Sequence, residues 1–213
     1  MNELLIFDCD GVLVDSERLS HGVLQQMLAE LGVRLSFDAT VERFIGTSLP
    51  VCLARVGELL GAAPPQGFVE GFGQRTRAAF EAGLLPVRGI EQLLEMLRTP
   101  YCVASNGNRA KVEFTLGHTG LLPRFAGRIF TADDVLHPKP APDLFLHAAR
   151  CMGVLPRHTT VVEDTPTGIV AAKAAGMRAI GFAAMTPRAR LAAAGADALA
   201  DSMDELRTLL AAG

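Results

Sequence analysis

Residues 4–12 have the sequence LLIFDCDGV, in which an apolar run ends in two carboxylates, and this segment is the strongest indication of the fold. An apolar run so early in the chain indicates a buried strand. Side chains alternate along a strand, so Asp8 and Asp10 would share one face if strand geometry continued through both. Neighbouring carboxylates repel each other, and a bound cation or a shared proton relieves that repulsion. The segment therefore indicates metal-assisted chemistry at the end of the first strand.

Strands and helices alternate through most of the remaining sequence. Strands are predicted over residues 3–8, 101–105, 128–131, 159–164 and 178–182. Helices are predicted near residues 89–98, 108–119, 143–152, 166–175 and 203–212. This alternation is typical of an α/β fold, with a doubly wound parallel sheet and helices on both of its faces.

Residues 16–85 differ from the rest because helical patterns alone occur there. Helices are predicted near residues 17–31, 37–44, 50–61 and 67–82. We expect two domains, a core of residues 1–15 and 86–213 and an inserted all-helical domain of residues 16–85. An insertion after the first strand would lie over the carboxyl ends of the strands and act as a lid.

The composition is that of a globular protein with a large core, since 49% of the 213 residues are hydrophobic and 20% are charged. A net charge of −3 argues against a nucleic-acid partner. No apolar stretch approaches the roughly 18 residues of a membrane-spanning helix. Without a recognisable signal peptide, we expect a cytoplasmic protein that is a monomer by default, with a dimer as the open alternative. The cysteines lack C-x-x-C spacing, so we expect reduced, mostly buried thiols at Cys9, Cys52, Cys102 and Cys151.

Polar and charged residues follow four of the predicted strands. They are Asp8 with Asp10, Ser105, Lys139, and Glu163 with Asp164. Because parallel strands end at one edge of a sheet, we expect these side chains to meet there. The carboxylates are the hard oxygen ligands that Mg²⁺ prefers, and Lys139 would offset part of their charge. Ser105 and the backbone N–H groups of Asn106 and Gly107 would supply donors for a phosphate at a helix N-terminus.

Each of these residues also has a purely structural interpretation. Ser105 is a suitable N-cap for the following helix, and Lys139 among prolines resembles an ordinary loop lysine. Glu163 and Asp164 precede Thr165 and Pro166, which form a typical helix start. The complete set, in this order and at four strand ends, favours function over these separate interpretations.

Four segments carry a family resemblance: DCDGVLVDS at residues 8–16, SNG at 105–107, KP at 139–140 and EDTPTG at 163–168. Together they resemble the motifs of the haloacid dehalogenase-like hydrolase superfamily, and the resemblance covers nearly the whole chain. It is closest to the branch of β-phosphoglucomutase and phosphoglycolate phosphatase, in which a helical cap follows the first motif. The resemblance implies a Rossmann-like core and a hydrolase of phosphoric monoesters.

The resemblance also implies roles for the motif residues. Asp8 is the implied nucleophile, which forms an aspartyl-phosphate, and Asp10 is the implied general acid and then general base. Ser105 and Lys139 are implied to act with them by holding phosphoryl oxygens. The implied cofactor is Mg²⁺, held by Asp8, the backbone carbonyl of Asp10, Asp164, and Glu163 either directly or through water.

The implied partner is a small phosphorylated metabolite. The residues that would bind it are Gly11, Ser105, Asn106 and Lys139 in the core, and Gly46 and Ser48 in a cap loop. The Lys-Pro bond is often cis in this family, so the bond from Lys139 to Pro140 is expected to be cis.

Several activities of the family can be compared with individual residues. True dehalogenases lack the second aspartate, which is present here as Asp10, and phosphonoacetaldehyde hydrolases use a cap lysine, which residues 15–86 do not contain. The mutase has an arginine where Leu49 stands and a cap histidine where Ser20 stands, although His21 is adjacent. Because a donor for a second phosphate is missing, a phosphatase is favoured.

The expected substrate is 6-phosphogluconate-like or another hexose phosphate, and phosphoglycolate is the second expectation. Transfer of the β-phosphoglucomutase type and a non-catalytic binding member of the fold remain the alternatives. Within the cap, four residues either face the substrate or belong to solvated helix faces: His21, Arg43, Arg55 and Arg75.

Overall fold

The computed structural model describes residues 3–47 and 49–211. The chain folds as two compact units: Met1–Asp15 together with Leu85–Gly213 forms the first, and Ser16–Leu84 forms the second. Leu85 belongs to the first unit, one residue before the predicted boundary. The reason is local, because the Asp15 N–H donates a 3.0 Å hydrogen bond to the Leu85 carbonyl.

The first unit is built on a parallel sheet. Its strands within the described residues are β1 Leu4–Phe7, β2 Tyr101–Ser105, β3 Ile129–Thr131, β4 Thr159–Glu163, β5 Arg178–Phe182 and β6 Ala198–Ala200. Their spatial order is β3-β2-β1-β4-β5-β6, and each adjacent pair is parallel. The predicted doubly wound α/β sheet is therefore confirmed. The strand order reverses between β1 and β4, and such sheets bind ligands at the carboxyl ends of the strands beside that reversal.

Helices are the regular elements in the described residues of the second unit. They are α1 Ser16–Glu30, α2 Phe37–Phe44, α3 Leu49–Leu60 and α4 Phe68–Gly83. Their apolar faces pack into a core of their own, which includes Leu24, Leu28, Phe44, Val56 and Phe68. Four amphipathic helices thus bury enough apolar surface to form a separate cluster.

The remaining helices belong to the first unit. They are α5 Ile90–Met96, α6 Arg109–His118, α7 Asp143–Cys151, α8 Pro166–Ala174, α9 Arg188–Ala193 and α10 Met203–Ala211. Ile6 and Val161, from neighbouring strands, share a core cluster with Phe145 of α7 and Ile169 of α8. Every residue of β1 and β4 is buried, which explains the continuous apolar run of β1 and the valine pair within β4.

The sequence prediction missed α9 and β6. These elements contain six and three residues, too few for a hydrophobic period to be visible. Pairing with β5 places β6 in the sheet, and the Ala183 N–H extends the ladder with a 2.7 Å bond to the Ala200 carbonyl. Non-local pairing therefore decides this edge of the sheet.

The thiols differ partly from the prediction. All four cysteines are free, and Cys9 and Cys102 are buried, but Cys52 is half-buried and Cys151 is exposed at the end of α7. The expectation of mostly buried thiols is wrong for these last two, because α3 and α7 each leave one side facing solvent. None of the described helices has the length and apolarity that crossing a membrane requires.

Candidate active site

Three carboxylates meet where β1 and β4 end. Asp8 follows β1, while Glu163 and Asp164 lie at the end of β4, and the parallel pairing of Phe7 with Val162 brings them together. All three carboxylates are buried, and one oxygen of each lies within 4.8 Å of the others. Like charges this close in a buried site are unfavourable unless a cation balances them. The structure thus brings the side chains of these predicted metal ligands into one cluster.

The ammonium group of Lys139 lies against this cluster. Its Nζ donates to Asp8 Oδ1 at 2.6 Å, to Glu163 Oε1 at 2.7 Å and to the Ala104 carbonyl at 2.8 Å. These bonds use all three donors of an ammonium group. The Phe145 ring adds a cation–π contact, with its centroid 4.7 Å from Nζ. In this arrangement Lys139 neutralises carboxylates, and the predicted contact with a phosphoryl oxygen would replace one of its three bonds.

Burial dominates the electrostatics of Asp8. It raises the pKa of Asp8 to about 7, with Lys139 opposing the rise and Glu163 and Asp10 adding to it. Burial alone would lower the pKa of Lys139, but the adjacent carboxylates of Asp8 and Glu163 raise it above its ordinary value. The ammonium group is therefore held in its charged form, while burial disfavours the ionised form of Asp8.

Both oxygens of Glu163 have fixed donors. Oε1 accepts from Lys139, and Oε2 accepts from the Thr165 N–H at 2.9 Å and the Thr165 hydroxyl at 2.8 Å. Thr165 is also the N-cap of α8, because its hydroxyl accepts from the Gly168 N–H at 3.1 Å. A Cβ atom at Gly168 would overlap the Glu163 carboxylate. The start of α8 therefore positions Glu163, which confirms the helix-start interpretation of this segment and leaves the Glu163 carboxylate within the cluster.

The side chain of Asn106 fixes the loop that carries Lys139. Its Nδ2 donates to the Lys139 carbonyl at 2.9 Å, and the Lys139 N–H donates to its Oδ1 at 3.0 Å. The peptide bond between Lys139 and Pro140 is cis, which confirms the prediction. The Asn106 side chain is thus committed to positioning Lys139, and its backbone N–H is the group predicted to bind phosphate.

Ser105 is the last residue of β2 and is buried. Because β2 pairs with β1, Ser105 lies on the strand next to the one that leads into Asp8. Its hydroxyl accepts a 3.1 Å hydrogen bond from the Gly107 N–H, one of the donors predicted for phosphate. The N-cap of α6 is Asn108, whose side chain accepts from the Lys111 N–H at 2.8 Å. The interpretation of Ser105 as this cap is therefore wrong, and the residue remains available for the site.

Asp10 lies just past β1 and contacts a second lysine. Its Oδ2 accepts from Lys111 Nζ at 2.8 Å. The following Gly11 has φ 75°, in the left-handed region that favours glycine, and its N–H donates to the Val14 carbonyl at 2.9 Å. Gly11 is thus placed as the turn residue after the strand, with its N–H already engaged, although it was predicted to bind substrate.

The predicted residues of the helical unit form no comparable cluster within residues 16–47 and 49–84. Gly46 follows α2 with φ 64°, and Ser48 lies outside the described residues. His21 is buried in α1, its Nδ1 lies 2.7 Å from the Glu17 carbonyl, and burial lowers its pKa.

Two of the predicted arginines, Arg75 and Arg55, have partners within the helical unit. Arg75 contacts Glu30 at 2.6 Å, with both side chains about half exposed. Arg55 donates to the backbone carbonyl of Arg43. These contacts agree with solvated helix faces.

The sequence matches the model of a known protein family. The model of the haloacid dehalogenase-like hydrolases matches residues 5–182. This chain belongs to the haloacid dehalogenase-like hydrolases. The match confirms the predicted family and the prediction that the chain is an enzyme, a hydrolase of that family.

Relatives of this haloacid dehalogenase-like hydrolase include 6-phosphogluconate phosphatase of Escherichia coli (strain K12), with 31% identity over 183 residues, 85% of this chain and 83% of the relative. A haloacid dehalogenase-like protein from Agrobacterium tumefaciens str. C58 has a similar structure, with TM-score 0.94, 36% identity and coverage of 100% and 99%. A family hydrolase from Deinococcus radiodurans R1, solved with bound phosphate and sodium, has TM-score 0.83, 31% identity and coverage of 99% and 95%.

Three residues of this hydrolase's site were not predicted from sequence: Lys111, Phe145 and Gly168. Lysine occurs at only three positions in the chain, 111, 139 and 173, and this rarity is the sequence feature that could have indicated Lys111. Gly168 stands three residues after the Thr165 cap, a spacing that places its backbone beside the cap. The contact of Phe145 with Lys139 has no sequence signal, because α7 reaches the site through tertiary packing.

The donor set of this hydrolase fits a divalent cation. Asp8, Glu163 and Asp164 offer hard carboxylate oxygens within 4.8 Å of one another. Lys139 supplies one positive charge, so an excess of negative charge remains for a dication to balance. Magnesium, which favours oxygen ligands and keeps several waters, suits such a partial protein shell.

Proposed function

We propose that this protein is a Mg²⁺-dependent phosphatase that hydrolyses a small phosphorylated metabolite through an aspartyl-phosphate on Asp8. The observation that carries the proposal is the buried cluster of Asp8, Glu163 and Asp164, with Lys139 bonded to two of its carboxylates. Such a cluster can hold a divalent cation, and phosphoryl transfer needs a cation because a phosphate ester brings further negative charge to the site. Membership in the haloacid dehalogenase-like hydrolases supports the same chemistry.

Asp8, Glu163 and Asp164 would hold the Mg²⁺ ion, with the backbone carbonyl of Asp10 as a further ligand. When bound, Mg²⁺ neutralises charge on the carboxylates and on the phosphoryl group, so that one anion can approach another. Lys139 stays charged beside Asp8 and keeps the nucleophile oriented through its 2.6 Å contact.

The proposed reaction proceeds in two steps. In the first, an oxygen of Asp8 attacks phosphorus and the bond to the alcohol oxygen breaks, while Asp10 donates a proton to that oxygen. In the second, Asp10 takes a proton from water, and the water oxygen attacks phosphorus and displaces Asp8. Inorganic phosphate leaves, and both aspartates return to their starting states.

A hexose-phosphate type of substrate, with 6-phosphogluconate first, is favoured over a bisphosphate. The relative from Escherichia coli is a 6-phosphogluconate phosphatase, and the Deinococcus radiodurans neighbour was solved with bound phosphate. Leu49 is an apolar residue at the position where the mutase has an arginine for a second phosphate. A singly phosphorylated substrate is consistent with both observations.

Phosphate release from a substrate panel tests this proposal. The panel contains 6-phosphogluconate, glucose 6-phosphate, phosphoglycolate and p-nitrophenyl phosphate, each with Mg²⁺ and with EDTA. We expect turnover with Mg²⁺, loss of turnover with EDTA, and a hexose derivative as the best substrate. Metal-independent turnover would contradict the role of the ion, and phosphoglycolate as the best substrate would replace our first choice.

Asp8→Asn and Asp197→Asn form a matched pair for the same panel. Each aspartate accepts a 2.6 Å contact from a lysine, but Asp197 is partly exposed and its partner is Lys173 rather than Lys139. We expect Asp8→Asn to reduce turnover by at least about 10⁴-fold, because covalent catalysis needs the carboxylate, and Asp197→Asn to leave it unchanged. Full activity in Asp8→Asn would refute the nucleophile assignment.

A separate assay distinguishes mutase activity from phosphatase activity. Incubation with β-glucose 1-phosphate and a bisphosphate primer would yield glucose 6-phosphate without phosphate release if the mutase assignment were correct. A protein without turnover on every ester would instead favour the non-catalytic alternative.

A further inference from the structure

Lys111 contacts Asp10, the residue that transfers protons in the proposed reaction. Its Nζ lies 2.8 Å from Asp10 Oδ2, a contact between side chains 101 residues apart in sequence. The Lys111 side chain is 43% exposed and that of Asp10 is 18% exposed. The pair therefore lies near the solvent side of the site, whereas Lys139 and its partners are buried.

The backbone on both sides of this contact is held in place. The Lys111 N–H donates to the Asn108 cap at the start of α6. The neighbouring Arg109 is bonded through its backbone N–H to Asp133, at 2.9 Å, and through its guanidinium to Asp134. The first turn of α6 is thus anchored to the segment after β3, so Lys111 extends from a fixed base.

The backbone of Asp10 is fixed in a similar way. The Gly11 N–H donates to the Val14 carbonyl, and Asp10 and Val14 form a parallel bridge. This turn fixes where the Asp10 side chain begins but leaves its χ angles to be set by the groups around the carboxylate. Asp10 stands two residues after Asp8, the proposed nucleophile, so the orientation of its side chain bears on the proposed reaction.

We propose that Lys111 is a positioning residue: it holds Oδ2 of the Asp10 carboxyl group, and Oδ1 of the same group carries the proton that passes to the leaving alcohol. The inference rests on the proposed role of Asp10 and adds the group that orients it. A partly exposed lysine–carboxylate pair contributes little to stability, so its removal should affect the reaction more than the fold. Misplacement of a proton donor by about 1 Å can cost about 100-fold in rate, and a lysine on a rigid helix turn limits such movement.

The effectiveness of Asp10 as a proton donor can be measured by varying how much the leaving group needs a proton. p-Nitrophenolate leaves readily without a proton, whereas phenolate and 4-methoxyphenolate depend increasingly on one. The three aryl phosphates have the same net charge and similar shapes, so a loss of general binding affects them alike. The value of kcat/KM covers the steps up to transfer onto Asp8, the step in which Asp10 donates its proton.

The experiment compares Lys111→Met and Lys111→Arg on these three esters with Mg²⁺. Lys111→Met should lower kcat/KM for phenyl phosphate about 10-fold and for p-nitrophenyl phosphate less than about 3-fold, since only the first needs the donor. Lys111→Arg should recover most of the loss, because its guanidinium also donates to a carboxylate. Lys173→Met, which removes a lysine of similar exposure bonded to Asp197, should give a dependence parallel to that of the unmodified protein.

Two results would overturn the proposal. Equal losses on all three esters would mean that Lys111 supports the fold or binds substrate in general, and no loss would mean that the contact has no role in the reaction. Both results leave the phosphatase proposal intact, provided that the unmodified protein hydrolyses the esters. An unmodified protein inactive on every ester would overturn the phosphatase proposal itself, and the inference about Lys111 with it.

Discussion

Charged residues are buried at the strand ends of the first unit but exposed on the helix surfaces of the second unit. At the ends of β1 and β4, three carboxylates and Lys139 are buried, and Lys139 bonds to two of the carboxylates at 2.6 and 2.7 Å. In the helical unit, Arg75 and Glu30 also lie 2.6 Å apart, but both side chains are about half exposed. Ion pairs of the same length thus occur in two very different environments.

Burial determines what these contacts can do. An exposed ion pair exchanges water for a partner at little net gain, and salt screens it. A buried carboxylate has lost its water, so its properties depend on the few groups around it, as the raised pKa of Asp8 illustrates. The proposed reaction is therefore placed at the strand ends, and the following substitutions test the contrast between buried and exposed pairs.

Removal of the buried ammonium should have the largest effect. Lys139→Met leaves Asp8 and Glu163 without their shared donor, so we expect activity to fall at least about 1,000-fold, because the nucleophile loses its orientation. The free energy of unfolding should fall by about 3 kcal/mol without Mg²⁺, as is typical when one partner of a buried ion pair is removed. Urea unfolding with and without Mg²⁺ measures this, and Mg²⁺ should restore part of the loss.

The control for that substitution is Lys173→Met, at a partly exposed pair in the same unit. We expect its free energy of unfolding to change by less than about 1 kcal/mol. Equal destabilisation by the two substitutions would contradict the contrast between buried and exposed pairs.

A single methyl group at Gly168 should have the next largest effect. The new Cβ would overlap the Glu163 carboxylate and force it away from Lys139 and Thr165. We expect Gly168→Ala to reduce kcat about 100-fold, as for displacements near 1 Å at an active site. Its apparent affinity for Mg²⁺, measured from the Mg²⁺ dependence of the rate, should weaken as well.

Gly73→Ala is the matched control, because a Cβ at this helical glycine of α4 meets no atom within 4 Å. It should leave kcat unchanged and stabilise the protein by up to about 1 kcal/mol, since alanine is the better helix former. Unchanged kinetics in Gly168→Ala would show that the position of Glu163 is not critical.

A smaller and pH-dependent effect is expected at Asp197. Burial alone would raise the pKa of Asp197, but hydrogen bonds from Lys173 and the Ala179 N–H lower it below its ordinary value. Because folding lowers this pKa, the ionised carboxylate stabilises the fold above the unfolded-state pKa of about 4. That contribution is lost as the pH falls through the folded-state pKa.

Urea midpoints of the unmodified protein and Asp197→Asn should therefore differ at pH 7 and converge as the pH falls below about 4. Activity should stay unchanged, since Asp197 lies outside the cluster. A difference that grew on acidification would mean that the sign of this linkage is wrong.

The smallest effect is expected in the helical unit. Arg75→Gln removes an exposed ion pair with Glu30, so neither the unfolding midpoint nor kcat should change measurably. The informative quantity is KM for the best substrate of the panel. A raised KM would show that Arg75 contacts substrate, and the helical unit would then contribute charge to recognition.

Much of the first unit was predictable because its signals are local. β1 is a continuous apolar run followed by Asp8, and β4 has two valines directly before Glu163. α8 begins with the Thr165 cap followed by Pro166. Such features depend on a few adjacent residues, so sequence alone reveals them. β6 could not be found in this way, because three residues with no distinctive pattern become a strand only by pairing with β5.

The sequence by itself determined the residue types of the site and the strand ends on which they stand: Asp8, Asp10, Ser105, Lys139, Glu163 and Asp164. Only the tertiary structure decided their separate partners. Lys139 uses its three donors on Asp8, Glu163 and a carbonyl, whereas Lys111 reaches Asp10 from helix α6. The physical reason is that a motif specifies side chains along the chain, but distances between side chains more than a hundred residues apart are set by sheet order and helix packing.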